Sequence, residues 1–573
     1  MKHSIVTLMI VLGLPLLCSA QQRFNGRLVE GRAVWANPAR VATSDSAVRA
    51  FVELCKRANI QLIVMLTKFS DQRVYYHSKK FPETIAPAFR DFDPLAAMVR
   101  EAHKAGIRVH AWVSSFTESP DGPVMQKHPE WAARNPDGQV TSEAESLAGG
   151  RKYSITWMCP ARRPGYTDQW LLPMIEEIVA NYEVDGIHHD YVRYPGDVAP
   201  DGYCFGDYCL EEMLKYAHFY YEAFPDTVYP IARTLPNLVA NWWSDPTVKP
   251  AGWDEWSRRR KADFFLRGSF IRGGPADLDY FFYTFRQDQI KRFVREAWER
   301  ASAIRPDIEI SAAVFKNPIA SGRFIGQRWT DFAPWIDIMM PMVYRSHFPA
   351  RPFSTFLTHL KEYTRYEYRW AKNRVHLYMG LDVNYIFNEE RFFPINSLAV
   401  LDSLQTAPAS SRPRLVQALR NEFASIKTHL EKVAPEMAAN YARLLKTFDG
   451  RSAEAHNQLR NLLMILRNDP PQDYYPGAKV RQIIETVRQA GANGIVLFEA
   501  GLITRYKLWP VLEQVFAEPA IPPEELGLYP EMSIGTLKSL RQQLATFRIQ
   551  RNLAIAAALL LVFIGLVRYR RKS

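Results

Sequence analysis

The sequence predicts an α/β protein, a (β/α)8 TIM barrel with two long insertions at its carboxyl-end face. Amphipathic helical segments alternate with short apolar runs, a Gly or Asn turn separates them, and the apolar runs end in polar clusters. Strands joined through helices must pair in parallel, and eight such units in series close a barrel. No Gly-rich phosphate loop follows the first strand, which disfavours an open doubly wound sheet.

In chain order, the first strand is GRAVW from Gly31 to Trp35, ending at Asn37. A helix over Ser46 to Ala58 leads to the second, Gln61 to Leu66, ending at Lys68. A helix from Pro94, stopped by Gly106, leads to the third, Ile107 to Trp112. The amphipathic stretch Leu171 to Tyr182 feeds the fourth, Val184 to Ile187, whose exit HHDYVRYP is the densest polar cluster on any strand end. The fifth is Ile308 to Phe315, the sixth Ile336 to Tyr344, the seventh Val375 to Leu381 with Asp382 next, and the eighth Gly494 to Phe498 with Glu499 next. Two intervals are too long for simple loops, 202–283 after the fourth strand and 385–475 after the seventh. Both leave from carboxyl ends, so they should wall the face that carries a site.

The ends of the chain read differently. Lys2 and His3, the apolar run Ile5 to Leu17 and then Cys18-Ser19-Ala20 form a secretory signal pattern over 1–20. Leu553 to Val567 is apolar or Gly throughout and is followed by Arg568, Arg570, Arg571 and Lys572. It is a little shorter than the roughly 17 to 25 residues of a usual span, and flanking Arg side chains can lengthen it by snorkelling. The expected order is signal 1–20, barrel 21–519, stalk 520–550, transmembrane helix 551–568 and cytoplasmic tail 569–573, with the barrel outside.

The composition, 47% hydrophobic and 23% charged, is that of a globular protein. The formal net charge of +12 is dispersed, so no nucleic-acid partner is expected. Arg258 to Lys261 is the densest internal run and reads as a solvated or anion-facing loop. With Cys18 removed, Cys55, Cys159, Cys204 and Cys209 remain, and YCFGDYC places Cys204 close enough to Cys209 for a local disulfide. Cys55 reads as helix packing, and neither a metal nor a cofactor is expected.

In a barrel, ligands bind where loops leave the carboxyl ends of the strands. Carboxylates and aromatics together at these strand ends suggest a carbohydrate ligand, and the candidate catalytic residues are Asp190, Asp382 and Glu499, because glycosidic cleavage needs one carboxyl as acid and a second as base or nucleophile. Asp190 leads, since His188, Tyr191 and Arg193 could hold it oriented and ionised. Glu499 on the eighth strand faces the fourth across the barrel, and so wide a pair would favour inversion. Candidate substrate-binding residues are Asn37, Lys68, His110, Trp112, His188, Tyr191, Arg193, Tyr344 and Arg345, with Lys316 and Asn317 at a further strand end. Alternation puts His188 and Asp190 on one face and His189 and Tyr191 on the other. Trp242, Trp243, Trp253 and Trp256 offer either sugar-stacking subsites or the small core of their own insertion. Asp337 and Asp185 read as structural.

Several of these segments resemble the glycosyl hydrolase-like 10 family, exported bacterial proteins with a (β/α)8 barrel. The matching stretches are GRAVW, FDPLAAMVREAHKAGIRVHAWVSSF from Phe92 to Phe116, HPEW from His128 to Trp131, VDGIHHDYVRYP, MPMVY from Met340 to Tyr344 and GANGIVLFEA from Gly491 to Ala500. The resemblance implies a glycosidase acting on a polysaccharide, with bacterial cell-wall glycan a substrate known in the family. It matches Asp190 to the Asp after the family's GIHF, His110 and Trp112 to its HAW, and Tyr344 to the Tyr of its PQIY. The chain departs from the family where Asp190-Tyr191 replaces two adjacent acids, where DYVRYP is closer to the DYIRFP of related barrels, and where Glu499 stands at a position usually not acidic. A membrane-anchored, extracytoplasmic glycoside hydrolase is therefore expected. A carbohydrate-binding barrel without turnover is the alternative, and a metal hydrolase built on His188, His189 and His110 is a third reading.

Overall fold

The computed structural model describes residues 22–144, 153–196, 202–223, 249, 252–266, 279–348, 353–371, 374–383, 395–468 and 477–526. Its centre is a closed ring of eight parallel strands: β1 (Gly31–Ala36), β2 (Leu62–Lys68), β3 (Arg108–Ser114), β4 (Gly186–Asp190), β5 (Glu309–Phe315), β6 (Ile338–Met342), β7 (His376–Leu377 with Met379–Asp382) and β8 (Gly494–Phe498). Each strand pairs with its sequence neighbours, and β8 returns to β1 through Gly494 opposite Gly31, which closes the barrel. The predicted α/β barrel of eight parallel strands holds.

The strand faces explain the closure. Residues such as Ala33, Trp35, Val64, Leu66, Trp112, Ala313, Met340 and Val496 form one buried cluster inside the barrel. The alternate residues, among them Val34, Ile63, Val109, Ile187 and Met339, pack outward against the helices. Gly186 is required inside: a Cβ there would lie 2.5 Å from His110 Nε2 and 2.7 Å from the Glu309 carbonyl oxygen.

Local signals place the helices. Ser44 caps Asp45–Arg57 by accepting from Ala47 N, and Asp93 caps Pro94–Lys104 by accepting from Ala96 N. Gly106 follows the second of these with φ +71, a left-handed turn that glycine adopts freely. Helix Asp279–Ile304 before β5 starts inside the expected first insertion. The excursion after β7 holds two successive helices, Arg412–Val433 and Pro435–Thr447, because Pro435 has no N–H to continue the first.

Two differences bear on function. The excursion after β3 is larger than a simple connection: Thr117–Glu118 pairs with Thr156–Trp157 to build a wall at the carboxyl end. Ala520–Ile521, expected in the stalk, pairs in parallel with Leu28–Val29. The following Glu524 accepts from Tyr378 and forms an ion pair with Arg108, so the folded body, with its small separate sheet of Arg23–Phe24, Arg27–Val29 and Ala520–Ile521, extends past 519. Among the described residues no helix is long and apolar enough to cross a membrane. The expected signal 1–20 (with Gln21), the rest of the stalk, the span 551–568 and the tail lie outside the described residues, as do Trp242 and Trp243.

Candidate active site

The carboxyl end of β4 delivers Asp190 into the mouth of the barrel with three partners. Trp112 on β3 donates its indole N–H to Asp190 Oδ2 at 3.2 Å, Tyr191 N donates to Oδ1 at 2.7 Å, and Arg193 Nη1 stands 3.7 Å from Oδ1. Burial pushes the Asp190 carboxyl up, while Arg193, the Tyr191 N–H and Trp112 pull it back down. Tyr191 leaves the strand with φ +49, so the alternation expected for it breaks. Instead of sharing a face with His189, it turns under the Arg193 guanidinium, whose Cζ lies 4.5 Å from the Tyr191 ring centroid and 4.7 Å from that of Phe315.

Asp382 at the end of β7 is the second buried carboxyl. It is 3% exposed and accepts from the Arg345 backbone N–H at 3.1 Å. Burial pushes it up to about 7, against the weaker pull of that hydrogen bond and the Arg345 charge. Tyr344, just after β6, lies between the two acids in an electrostatic sense: both Asp190 and Asp382 hold its phenol in the neutral form, after burial itself. Its ring packs on Phe498 at 5.3 Å and edge-on to Trp35 at 6.3 Å. Trp112, Asp190, Arg193 and Tyr344 each keep 8–9% of their surface exposed, the sign of groups facing a crevice.

Beside them opens a cavity of about 700 Å³ lined by Tyr153, Trp157, Tyr191, Arg193, Phe315 and Lys316, among others. Trp157 comes from the β3 wall and donates its indole N–H to the Arg193 carbonyl at 3.1 Å, which ties that wall to the β4 exit. Arg193 Nη1 has no hydrogen-bond partner within the described residues, and the Arg193 side chain lines the cavity. Aromatic faces with a few polar donors suit the faces and hydroxyls of a sugar.

Below Asp190 a buried relay fills the barrel. Trp35 Nε1 donates to His188 Nε2 at 3.2 Å, His188 Nδ1 lies 2.9 Å from Ser311 Oγ, and His110 Nδ1 lies 2.8 Å from the same oxygen. Indole is only a donor, so His188 carries its proton on Nδ1 and gives it to Ser311; Ser311 then donates to His110, whose Nε2–H reaches Glu309 at 3.0 Å. Burial holds His188 well below its ordinary value and neutral. The relay fixes the floor under Asp190.

Several expected site residues have other tasks. Glu499 accepts from Gly501 N at 3.0 Å as the N-cap of helix Ala500–Arg505 and pairs with Arg40 at 2.5 Å, so both its oxygens are occupied away from Asp190. That leaves Asp382, the other acid considered as a partner of Asp190, with its carboxyl not engaged in a salt bridge among the described residues. His110 sits near the start of β3, opposite Gly186 and bonded to Glu309, and is a barrel-core residue. Lys68 is fully buried, with its ammonium on the carbonyls of Ser114 and Thr117 and on Glu118, where it anchors the β3 wall. Asn37 caps Pro38–Val41, and Asn317 caps Pro318–Ile325. His189 faces the helix layer against Phe293, where burial lowers it to about 3, so His188, His189 and His110 do not converge on a metal.

Trp253 is 1% exposed and packs with Trp256, Phe264 and Phe265, the insertion's own core rather than a subsite. Arg258 and Arg259 in the basic run pair with Asp207 and Asp137. Asp337 accepts from Ile310 N, and Asp185 from Val109 N, the structural tasks expected of them. Cys204 and Cys209 are not bonded: the described cysteines are free thiols, and Cys159 Sγ lies 3.2 Å from Cys209 Sγ. Sequence reasoning missed Tyr153 and Trp157, whose only signal was aromatic content in a stretch lacking strand or helix periodicity.

A barrel mouth with buried carboxyls beside an aromatic cavity has the features of a carbohydrate-active site. Residues 36–378 match the family described as "Putative glycosyl hydrolase domain", and the chain belongs to that family. The expected kinship with glycosyl hydrolase-like proteins holds. The chain is 30% identical over 118 residues to the glycosyl hydrolase YngK of Bacillus subtilis, covering 19% of each chain. It is 26% identical over 125 residues to the glycosyl hydrolase DigH of Escherichia coli, covering 20% of this chain and 27% of that one. The matched parts thus span well under two thirds of the relatives' length. The glycoside hydrolase domain of PgaB (BpsB) from Bordetella bronchiseptica is similar over 85% of this chain and 99% of its own, at 11% identity and a TM-score of 0.49.

Proposed function

We propose that this protein is a glycoside hydrolase that cleaves O-glycosidic bonds of a polysaccharide, with Asp382 as the acid and Asp190 as the base or nucleophile. The observation that carries the reading is the unequal setting of two buried carboxyls around Tyr344. Asp382 rises to about 7 and holds its proton near neutrality, while Asp190 has a guanidinium and two N–H donors favouring its ionised form. A protonated Asp382 delivers its proton to the glycosidic oxygen as the bond to the anomeric carbon breaks. Asp190 either attacks that carbon or takes a proton from the attacking water. Trp157, Tyr191 and Phe315 provide faces for adjacent sugar rings, and Arg193 Nη1 provides a donor for a hydroxyl or carboxylate.

The reading includes an extracytoplasmic setting. The signal pattern over 1–20 exports the body, and the apolar run within 551–568 with its basic tail anchors it in the membrane, tail inside. Bacterial cell-wall glycan is the substrate proposed first, followed by other polysaccharides that reach the same compartment. A digestion panel of peptidoglycan and secreted polysaccharides tests this, with new reducing ends as the readout. Glycan binding without product, unchanged in Asp190→Asn and Asp382→Asn, would instead indicate a binding barrel without turnover.

A further inference from the structure

Away from the carboxylates, three cysteines converge where the sequence suggested only a pair. Cys159 follows the strand Thr156–Trp157 of the β3 wall, and Cys204 and Cys209 flank the start of helix Asp207–Ala223 in the β4 excursion. Their Sγ atoms all lie within 4.8 Å of one another, and all three residues are buried. An odd number of thiols cannot be satisfied by one disulfide, which would leave the third sulfur buried without a covalent partner.

The surroundings suit thiolates. The backbone N–H of Arg134 points at Cys204 Sγ at 3.4 Å, that of Gly206 also serves Cys204, and that of Arg162 serves Cys159. A cavity of about 260 Å³ adjoins the sulfurs and is lined by Arg134, Arg162 and Arg258. Three thiolates around a divalent cation carry one net negative charge, which Arg134 and Arg162 offset, Arg258 being paired with Asp207 and Glu130 also lining the cavity. With Zn–S at about 2.3 Å, sulfurs of a tetrahedral site stand about 3.8 Å apart, between the 3.2 Å of Cys159 to Cys209 and the 4.8 Å limit of the group. Closing on a metal therefore asks for shifts of about 1 Å or less.

We propose that Cys159, Cys204 and Cys209 form a thiolate site for a soft-ligand divalent cation of the zinc class, with water from the adjoining cavity as fourth ligand. Binding replaces each thiol proton with a metal–sulfur bond and releases the protons to solvent, with no change of oxidation state. The metal would staple the β3 wall to the β4 excursion. Those segments carry Trp157 and, through the bond to its carbonyl, Arg193, so the staple would hold the sugar-facing wall in place. This inference does not depend on the hydrolase reading.

The test uses the full chain, purified in detergent without chelator and incubated with zinc before desalting. The expected result is close to one zinc per chain by mass spectrometry of metals, retained in Cys55→Ser and reduced at least fivefold in Cys159→Ser and Cys204→Ser. Cobalt substitution of the unaltered chain, which needs no variant to fold, should give an intense ultraviolet thiolate-to-cobalt band and the visible bands of a tetrahedral ion. The proposal is overturned if the chain with all thiols reduced holds less than a tenth of an equivalent of zinc. It is also overturned if peptide mapping of the chain as isolated finds a disulfide between two of the three cysteines, or if the two serine variants keep full zinc.

Discussion

The indole N–H of Trp112 on β3 donates to Oδ2 of Asp190 at the end of the neighbouring strand β4, at 3.2 Å and out of bulk water. One strand thus orients the carboxylate that the next strand delivers. A hydrogen bond to a charged group contributes about 1.5 to 3 kcal/mol, so Trp112→Phe should lower kcat by about 10- to 100-fold with little change in fold. Because the bond favours the ionised carboxylate, its loss should move the acidic limb of the kcat/KM profile to higher pH. Steady-state rates across a pH series on reducing-end release check both effects.

Arg193 pairs with Asp190 and lines the cavity, so Arg193→Met should act twice. Loss of the charge removes the largest pull on the Asp190 carboxyl and leaves burial to raise it further. Loss of the donor weakens substrate binding. A KM raised at least several-fold, together with an acidic limb displaced upward, is expected from initial-rate kinetics. Arg193→Lys should restore part of the pH effect and less of the KM, because lysine keeps the charge without the planar fork.

Asp382 makes stability depend on pH in a direction opposite to that of most carboxylates. Its folded-state value, about 7, lies above the ordinary carboxylate value, so its contribution is fully present below about pH 4 and is lost as pH rises through 7. The size is on the order of 4 kcal/mol across that window as an upper figure. Denaturant unfolding from pH 4 to pH 8 should therefore show a falling component that is absent in Asp382→Asn, with the variant the more stable at pH 8. The same ionisation should end activity above about pH 7, since the acid then has no proton to give.

Glu499 caps a helix and pairs with the half-exposed Arg40, and it takes no part in the proposed chemistry. Glu499→Ala should cost about 1 kcal/mol from the lost cap, the exposed ion pair adding little. Its kcat should stay within about twofold, whereas a partner acid would lose three orders of magnitude or more. Thermal unfolding and kcat on one preparation separate the two roles.

The barrel was legible because its evidence is periodic and local: each apolar strand, each preceding helix and stops such as Gly106 announce themselves within a few residues. Asp190 was legible for the same reason, as an acid at an abrupt strand exit. The partner acid was not, because Asp382 and Glu499 look alike in sequence, and only tertiary contact with Gly501 and Arg40 assigns Glu499 to capping. His110 and Lys68 show the same limit, since a polar residue on a strand can serve the substrate or its own neighbours. Trp157 and the Cys159 contact with Cys209 arise from an irregular excursion that carries no period, so their convergence exists only in the folded chain.

The central claim is that Asp190 and Asp382 together cleave a glycosidic bond, and the most direct measurement is reducing-end release by the purified chain and its two single Asn variants. The account predicts measurable turnover of at least one extracytoplasmic polysaccharide, reduced at least a thousandfold in each variant while circular dichroism stays native. Turnover that persists within tenfold in either correctly folded variant would contradict it.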